Sequence, residues 1–127
     1  DIDFIDGTVD YVIDAIDDFD AKIMIIKKAK ELGLNLISSM GTAKRLHGDM
    51  FKIADISKTK VCPLAKKMRR ELKKLRINKV KVLYSDEVPT EMHEIDGYVG
   101  KSLGSVSFVP PVAGMLIAGE VVRDLLK

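Results

Sequence analysis

This chain of 127 residues contains one cysteine, no tryptophan, four phenylalanines and three tyrosines. A lone cysteine excludes an intrachain disulfide and a cysteine-rich zinc site, and it points to a reducing compartment such as the cytoplasm. So few aromatic rings argue against a platform for stacking single-stranded bases. No apolar run is long enough to span a bilayer and no signal-peptide pattern is visible, so no membrane partner is expected. A glycine-rich phosphate loop is also missing: Gly41, Gly48, Gly97, Gly100 and Gly104 fit neither the dinucleotide nor the P-loop spacing. Residues 1–20 lack any base, while Asp occupies positions 1, 3, 6, 10, 14, 17, 18 and 20.

What is present fits an ordinary globular domain. A hydrophobic fraction of 46% and a charged fraction of 31% suit one soluble unit with a single core. The net charge of +2 hides the acidic front and a strongly basic segment, residues 58–81, where eight lysines and three arginines face Glu71 alone. Within that segment Pro63 stands where a helix tolerates proline best. Leu64, Met68, Leu72 and Leu75 then recur at helical spacing, and Lys66, Lys67, Arg69, Arg70, Lys73, Lys74 and Arg76 crowd the remaining surface. Such a helix docks by its apolar stripe and either shows a cationic face to a polyanion or is simply a solvated face.

The spacing predicts strands over 9–16, 35–39, 50–57, 79–85 and 104–109, with helices over about 18–33, 63–76 and 112–126. Gly33 reads as a helix stop. The alternation in 50–57 suggests a strand with one wet face in an antiparallel position. Residues 86–102 read as a mobile loop. Ala113, Gly114, Ala118 and Gly119 give the last helix a side suited to close packing. The class is α/β with a mixed parallel and antiparallel sheet. The chain opens at Asp1 on a strand that leads into an acidic loop, a point that parallel α/β enzymes reach after their nucleotide loop. The expectation is a C-terminal part of one domain over 1–127, without its N-terminal nucleotide-binding half.

Five segments carry a family resemblance: Asp14-Ala-Ile-Asp17, Ile37-Ser-Ser-Met-Gly41, Ala54-Asp-Ile-Ser-Lys-Thr59, Met68-Arg-Arg-Glu-Leu72 and Leu103-Gly-Ser-Val-Ser-Phe-Val-Pro110. In order and spacing they resemble the C-terminal half of ubiquitin-activating-enzyme-like (ThiF/MoeB/HesA) proteins, most closely the tRNA threonylcarbamoyladenosine dehydratases. The resemblance implies a Rossmann-like adenylation domain of the E1 type. It also implies ATP and Mg²⁺ as cofactors, no structural zinc, tRNA as a partner, a homodimer, and a cysteine desulfurase or sulfur-relay protein as a possible further partner. By the same resemblance, Asp17 matches the aspartate beside Mg-ATP and the adenylate, with a metal-holding or phosphate-positioning role. Ser38, Ser39 and Gly41 are expected to line the adenylate pocket. Lys44 and Arg45 are candidate phosphate or tRNA contacts, and Lys66, Lys67, Arg69, Arg70, Lys73 and Lys74 are candidate tRNA contacts. The sequence departs from the family at Ala43, where a glycine is usual, and at His47-Gly48, where Asp-Pro is usual.

Asp17, Asp18 and Asp20 read equally well as helix caps or first-turn acids, and Asp14 as a backbone-bonding group in its strand. Cys62, at a helix start among lysines, is a candidate nucleophile or a capping and packing residue. His93, with Glu91, Glu94 and Asp96, is either a metal site or a solvated loop. Two other function classes stay open: an adenylyltransferase acting on a small sulfur-carrier protein, and a non-catalytic basic module that binds RNA or dimerises. Relatives of the former commonly carry two Cys-x-x-Cys pairs, which one cysteine cannot supply. With no phosphate loop, the 127 residues alone are expected to catalyse no ATP–pyrophosphate exchange.

Overall fold

A computed structural model describes residues 2–89 and 107–127. Among these residues four strands form one sheet: β1 (Val12–Asp14), β2 (Leu36–Ser39), β3 (Phe51–Asp55) and β4 (Lys81–Ser85), in the order β1-β2-β4-β3. β1, β2 and β4 are parallel, with Val12 opposite Leu36 and Ser38 opposite Val82. β3 runs antiparallel to β4 on the outer edge, Ile53 opposite Leu83, as its alternating sequence suggests. Among the described residues three α-helices cover the sheet: α1 (Phe19–Glu31), α2 (Pro63–Lys74) and α3 (Val109–Leu125).

Side chains alternate across the strands and so build two cores. Val12, Leu36, Val82 and Tyr84 face Ile26 and Ala29 of α1 and Ala65, Met68 and Leu72 of α2. On the opposite face, Ile37, Phe51 and Leu83 meet Val109, Ala113 and Ile117 of α3. Full burial of a side chain such as Ile26, Met68 or Leu83 stabilises by about 1.5–3 kcal/mol each.

Local signals fix the helix ends. Asp18 caps α1 by accepting from the Ala21 amide at 2.9 Å, and Gly33 (φ 68°) turns the chain out after it. Cys62 caps α2, with Pro63 in the first turn. Arg76 takes the left-handed conformation (φ 60°) after α2, while the Ile77 amide returns to the Leu72 carbonyl at 2.9 Å.

The structure corrects several boundaries. α3 begins at Val109, not at 112, because Pro110 and Pro111 lack only amide protons that a first helical turn leaves unbonded anyway. The expected strand 104–109 lies outside the described residues up to 106, and its remainder is turn and helix start. β3 stops at Asp55, where the Asp55 side chain accepts from the Ser57 amide at 3.0 Å and bends the chain into a 3₁₀ turn, Ile56–Lys58. Leu75 is 41% exposed and Ala65 takes the buried place on α2 instead. Of the small residues on α3 only Ala113 is buried, and Gly114 borders open space. The expected loop 86–102 lies outside the described residues beyond Pro89, as does His93 with its acidic neighbours. Glu87, read as part of that loop, is buried.

Candidate functional site

Parallel strands deliver their carboxyl ends, and the loops that follow, to one edge of the sheet. Here the loops after β1 and β2 meet the start of α2 around a cleft of about 640 Å³, lined by Asp17, Gly41, Lys44, Arg45, Cys62 and Leu64 among others. Of the three acids that read alike in sequence, Asp18 is the helix cap, Asp20 lies in the first turn, and Asp17 borders the cleft. Gly41 (φ 100°) permits the sharp exit from β2 that begins this wall.

Behind the Asp17 turn sits a charged hub whose lysine, Lys22, no sequence reading had singled out. Lys22 of α1 and Asp14 of β1 are both almost fully buried. The Lys22 ammonium donates to both Asp14 oxygens at 3.3 and 3.2 Å and to the Ser39 carbonyl at 2.6 Å. Ser38 Oγ donates to Asp14 Oδ2 at 2.6 Å, and the Ile16 amide donates to Asp14 Oδ1 at 3.2 Å. Burial pushes the Lys22 ammonium below the usual lysine range, and the adjacent Asp14 charge opposes that shift. One carboxylate thus ties β1, β2, α1 and the turn carrying Asp17. Ser38 and Ser39 belong to this hub and not to the cleft lining, while Gly41 lines the cleft. The available clue was positional: Lys22 occupies the first place of the stripe Lys22, Ile26, Ala29, which is the buried face of α1.

The far wall is held by Glu87. Its carboxylate accepts from the Leu46 amide at 3.1 and 2.9 Å and from the His47 amide at 3.0 Å, fastening the loop that bears Lys44 and Arg45 to the end of β4. Lys44 is in the left-handed region (φ 59°), and Arg45 is 4% exposed, inside the cleft wall and not on the outer surface. Cys62 is buried; its Sγ accepts from the Ala65 amide at 3.4 Å, the geometry of a helix cap.

The basic residues of α2 divide into two sets. Lys67 stands over the Phe19 ring at 4.1 Å, Arg69 donates to the carbonyl and hydroxyl of Thr59, and Lys74 pairs with Glu71 at 3.1 Å. Lys66, Arg70 and Lys73 are exposed along one helix face at spacings of four and three.

Among the described residues no group of three or more His, Cys, Asp or Glu side chains gathers as a metal cluster. A single lining carboxylate, Asp17, nonetheless fits Mg²⁺, which is commonly held by one or two carboxylates with phosphate oxygens completing its shell. The buried guanidinium of Arg45, whose Nε has no partner among the described residues, suits the same anionic ligand.

A mixed α/β sheet with a cleft at the carboxyl ends of its parallel strands has the architecture in which open α/β domains bind their ligands. The chain belongs to the ThiF family, which matches over residues 2–127. It is 42% identical to the tRNA threonylcarbamoyladenosine dehydratase of Bacillus subtilis, across 98% of this chain and 54% of that protein. It is 36% identical to tRNA threonylcarbamoyladenosine dehydratase 2 of Saccharomyces cerevisiae, across 65% of this chain and 19% of that one. Its fold superposes on the crystal structure of the E. coli tRNA N6-threonylcarbamoyladenosine dehydratase in complex with AMP, with a TM-score of 0.78 at 24% identity, covering 91% of this chain and 48% of that chain. The chain therefore spans about half the length of the relatives it matches over most of its own. No helix of the described residues is long and apolar enough to cross a membrane.

Proposed function

We propose that this chain is part of an ATP-dependent tRNA-modifying enzyme that adenylates the carboxylate of N6-threonylcarbamoyladenosine and cyclises it with loss of water. The observation that carries the reading is the 42% identity to the B. subtilis dehydratase over 98% of the chain. In this reaction the substrate carboxylate attacks the α-phosphate of ATP and releases pyrophosphate. The carbamoyl group then closes onto the activated carbonyl and expels AMP.

The chain's own residues supply position and exclusion of water. Asp17 would hold Mg²⁺, which when bound offsets phosphate charge. The Asp14–Lys22–Ser38 hub fixes the turn that carries Asp17, so its carboxylate meets the ligand without reorganising. Met40, Pro63, Leu64 and Pro89 give the cleft an apolar wall that keeps water from the activated carboxylate. Lys66, Arg70 and Lys73 offer an exposed cationic row for the tRNA backbone. The exposed apolar side chains Val112, Met115 and Leu116 of α3 support assembly as a homodimer.

The test uses the full-length protein with ATP, Mg²⁺ and tRNA bearing threonylcarbamoyladenosine, followed by nucleoside mass spectrometry. The expected result is loss of one water from that nucleoside, abolished by Asp17→Ala. No mass change, with ATP–pyrophosphate exchange appearing only on addition of a small carrier protein, would replace this reading with the sulfur-carrier one.

A further inference from the structure

Arg45 is a cation taken out of water with too few partners. It is 4% exposed, and among the described residues its Nε has no hydrogen-bond partner. Among the described residues its guanidinium donates to the Ala43 carbonyl, two residues back, at 3.4 Å. That is long for a charge-assisted bond, and among the described residues no carboxylate pairs with it. A lysine in such a place relieves its burial by losing a proton; a guanidinium stays charged. A buried charge left uncompensated works against folding, so this arrangement has its purpose in a ligand that completes it. The loop does not simply relax outward, because Glu87 holds the amides of Leu46 and His47, the two residues that follow. Arg45 also lines the same cleft as Asp17.

We propose that Arg45 is the anion receptor of this cleft and that its ligand is a phosphate oxyanion. The guanidinium plane offers paired donors that match two oxygens of one phosphate. The phosphate has two possible sources, the nucleotide or the RNA backbone, and assignment to the nucleotide rests on the reading given under Proposed function.

The experiment compares wild-type, Arg45→Met and Arg45→Lys full-length protein. Thermal unfolding is measured without ligand, calorimetric affinity with inorganic pyrophosphate and with ATP, and tRNA affinity by anisotropy across a salt series. Without ligand, Arg45→Met melts at or above the wild-type temperature, because an unpaired buried cation has gone. Its affinity for pyrophosphate falls at least tenfold, with Arg45→Lys in between. If the loss falls instead on tRNA, with a shallower salt slope and unchanged pyrophosphate affinity, the receptor takes an RNA phosphate. Unchanged affinity for both overturns the proposal, and so does Arg45→Met unfolding early with every affinity intact, which makes Arg45 a packing residue. Wild-type protein that binds neither ATP nor pyrophosphate overturns the nucleotide reading, and the proposal then stands or falls on the tRNA arm.

Discussion

Replacing Lys22 by Met keeps most of the buried stem and removes only the ammonium. The Asp14 carboxylate, 1% exposed, then retains the Ser38 hydroxyl and the Ile16 amide as donors and loses its counter-charge. The Ser39 carbonyl loses its 2.6 Å partner as well. Breaking a buried pair from one side costs about 3–5 kcal/mol. For a domain of this size that lowers the melting temperature by about 10–20 °C. Urea denaturation followed by circular dichroism reads the loss directly. The double variant Lys22→Met/Asp14→Asn separates pairing from packing: with no charge left to compensate, it recovers at least half of the deficit. A single-variant loss below about 1 kcal/mol, the range of exposed pairs, would refute the hub. So would a double variant no more stable than the single one, since the cost would then lie in the lysine stem.

Two further perturbations follow from groups that clamp the sheet. Tyr11 donates to Asp124 at 2.6 Å and Lys81 donates to Asp124 at 2.7 Å, joining the residue before β1 and the start of β4 to α3. Burial and the Asp124 bond push the Tyr11 phenol up to about 12, so the folded state holds that proton when the unfolded state has released it. This contribution is complete below pH 10 and is lost as pH rises from 10 to 12; Tyr11→Phe flattens that alkaline limb in a stability–pH series. The Lys81 and Tyr11 bonds hold Asp124 down at about 2, so its contribution is present above pH 3.8 and is lost as acid approaches pH 2. Glu87→Gln leaves one acceptor where a carboxylate served two amides. It costs about 1–3 kcal/mol of local stability, and hydrogen exchange at Leu46 and His47 is expected to quicken while Ile26 and Leu72 stay protected. Equal exchange in both proteins would mean that Glu87 does not fasten the loop.

Elements whose signal is local were legible in the sequence. The Leu64–Met68–Leu72 spacing and Pro63 place α2, Gly33 ends α1, and the alternation of 50–57 identifies β3 as the antiparallel edge. Asp17 was separable from Asp18 and Asp20 only by family register, and the helix start then assigned the cap to Asp18. Boundaries slipped where a residue type serves two ends: Pro110 and Pro111 stop a strand as readily as they open a helix.

The sequence alone therefore determined periodicity, charge distribution and family, because each is read from residue order without knowledge of long-range contacts. Tertiary structure decided which charged groups lose water. Lys22 is buried only because β1 and β2 bring Asp14, eight residues away, and Ser39, seventeen away, to its side chain. Glu87 becomes a loop fastener only because the chain leaving β4 brings it, forty-one residues on, to the Leu46 amide. Arg45, one base among many in the sequence, becomes distinctive once the fold strips its solvent while, among the described residues, its Nε gains no partner. Desolvation is a property of the packed fold, and no local pattern encodes it.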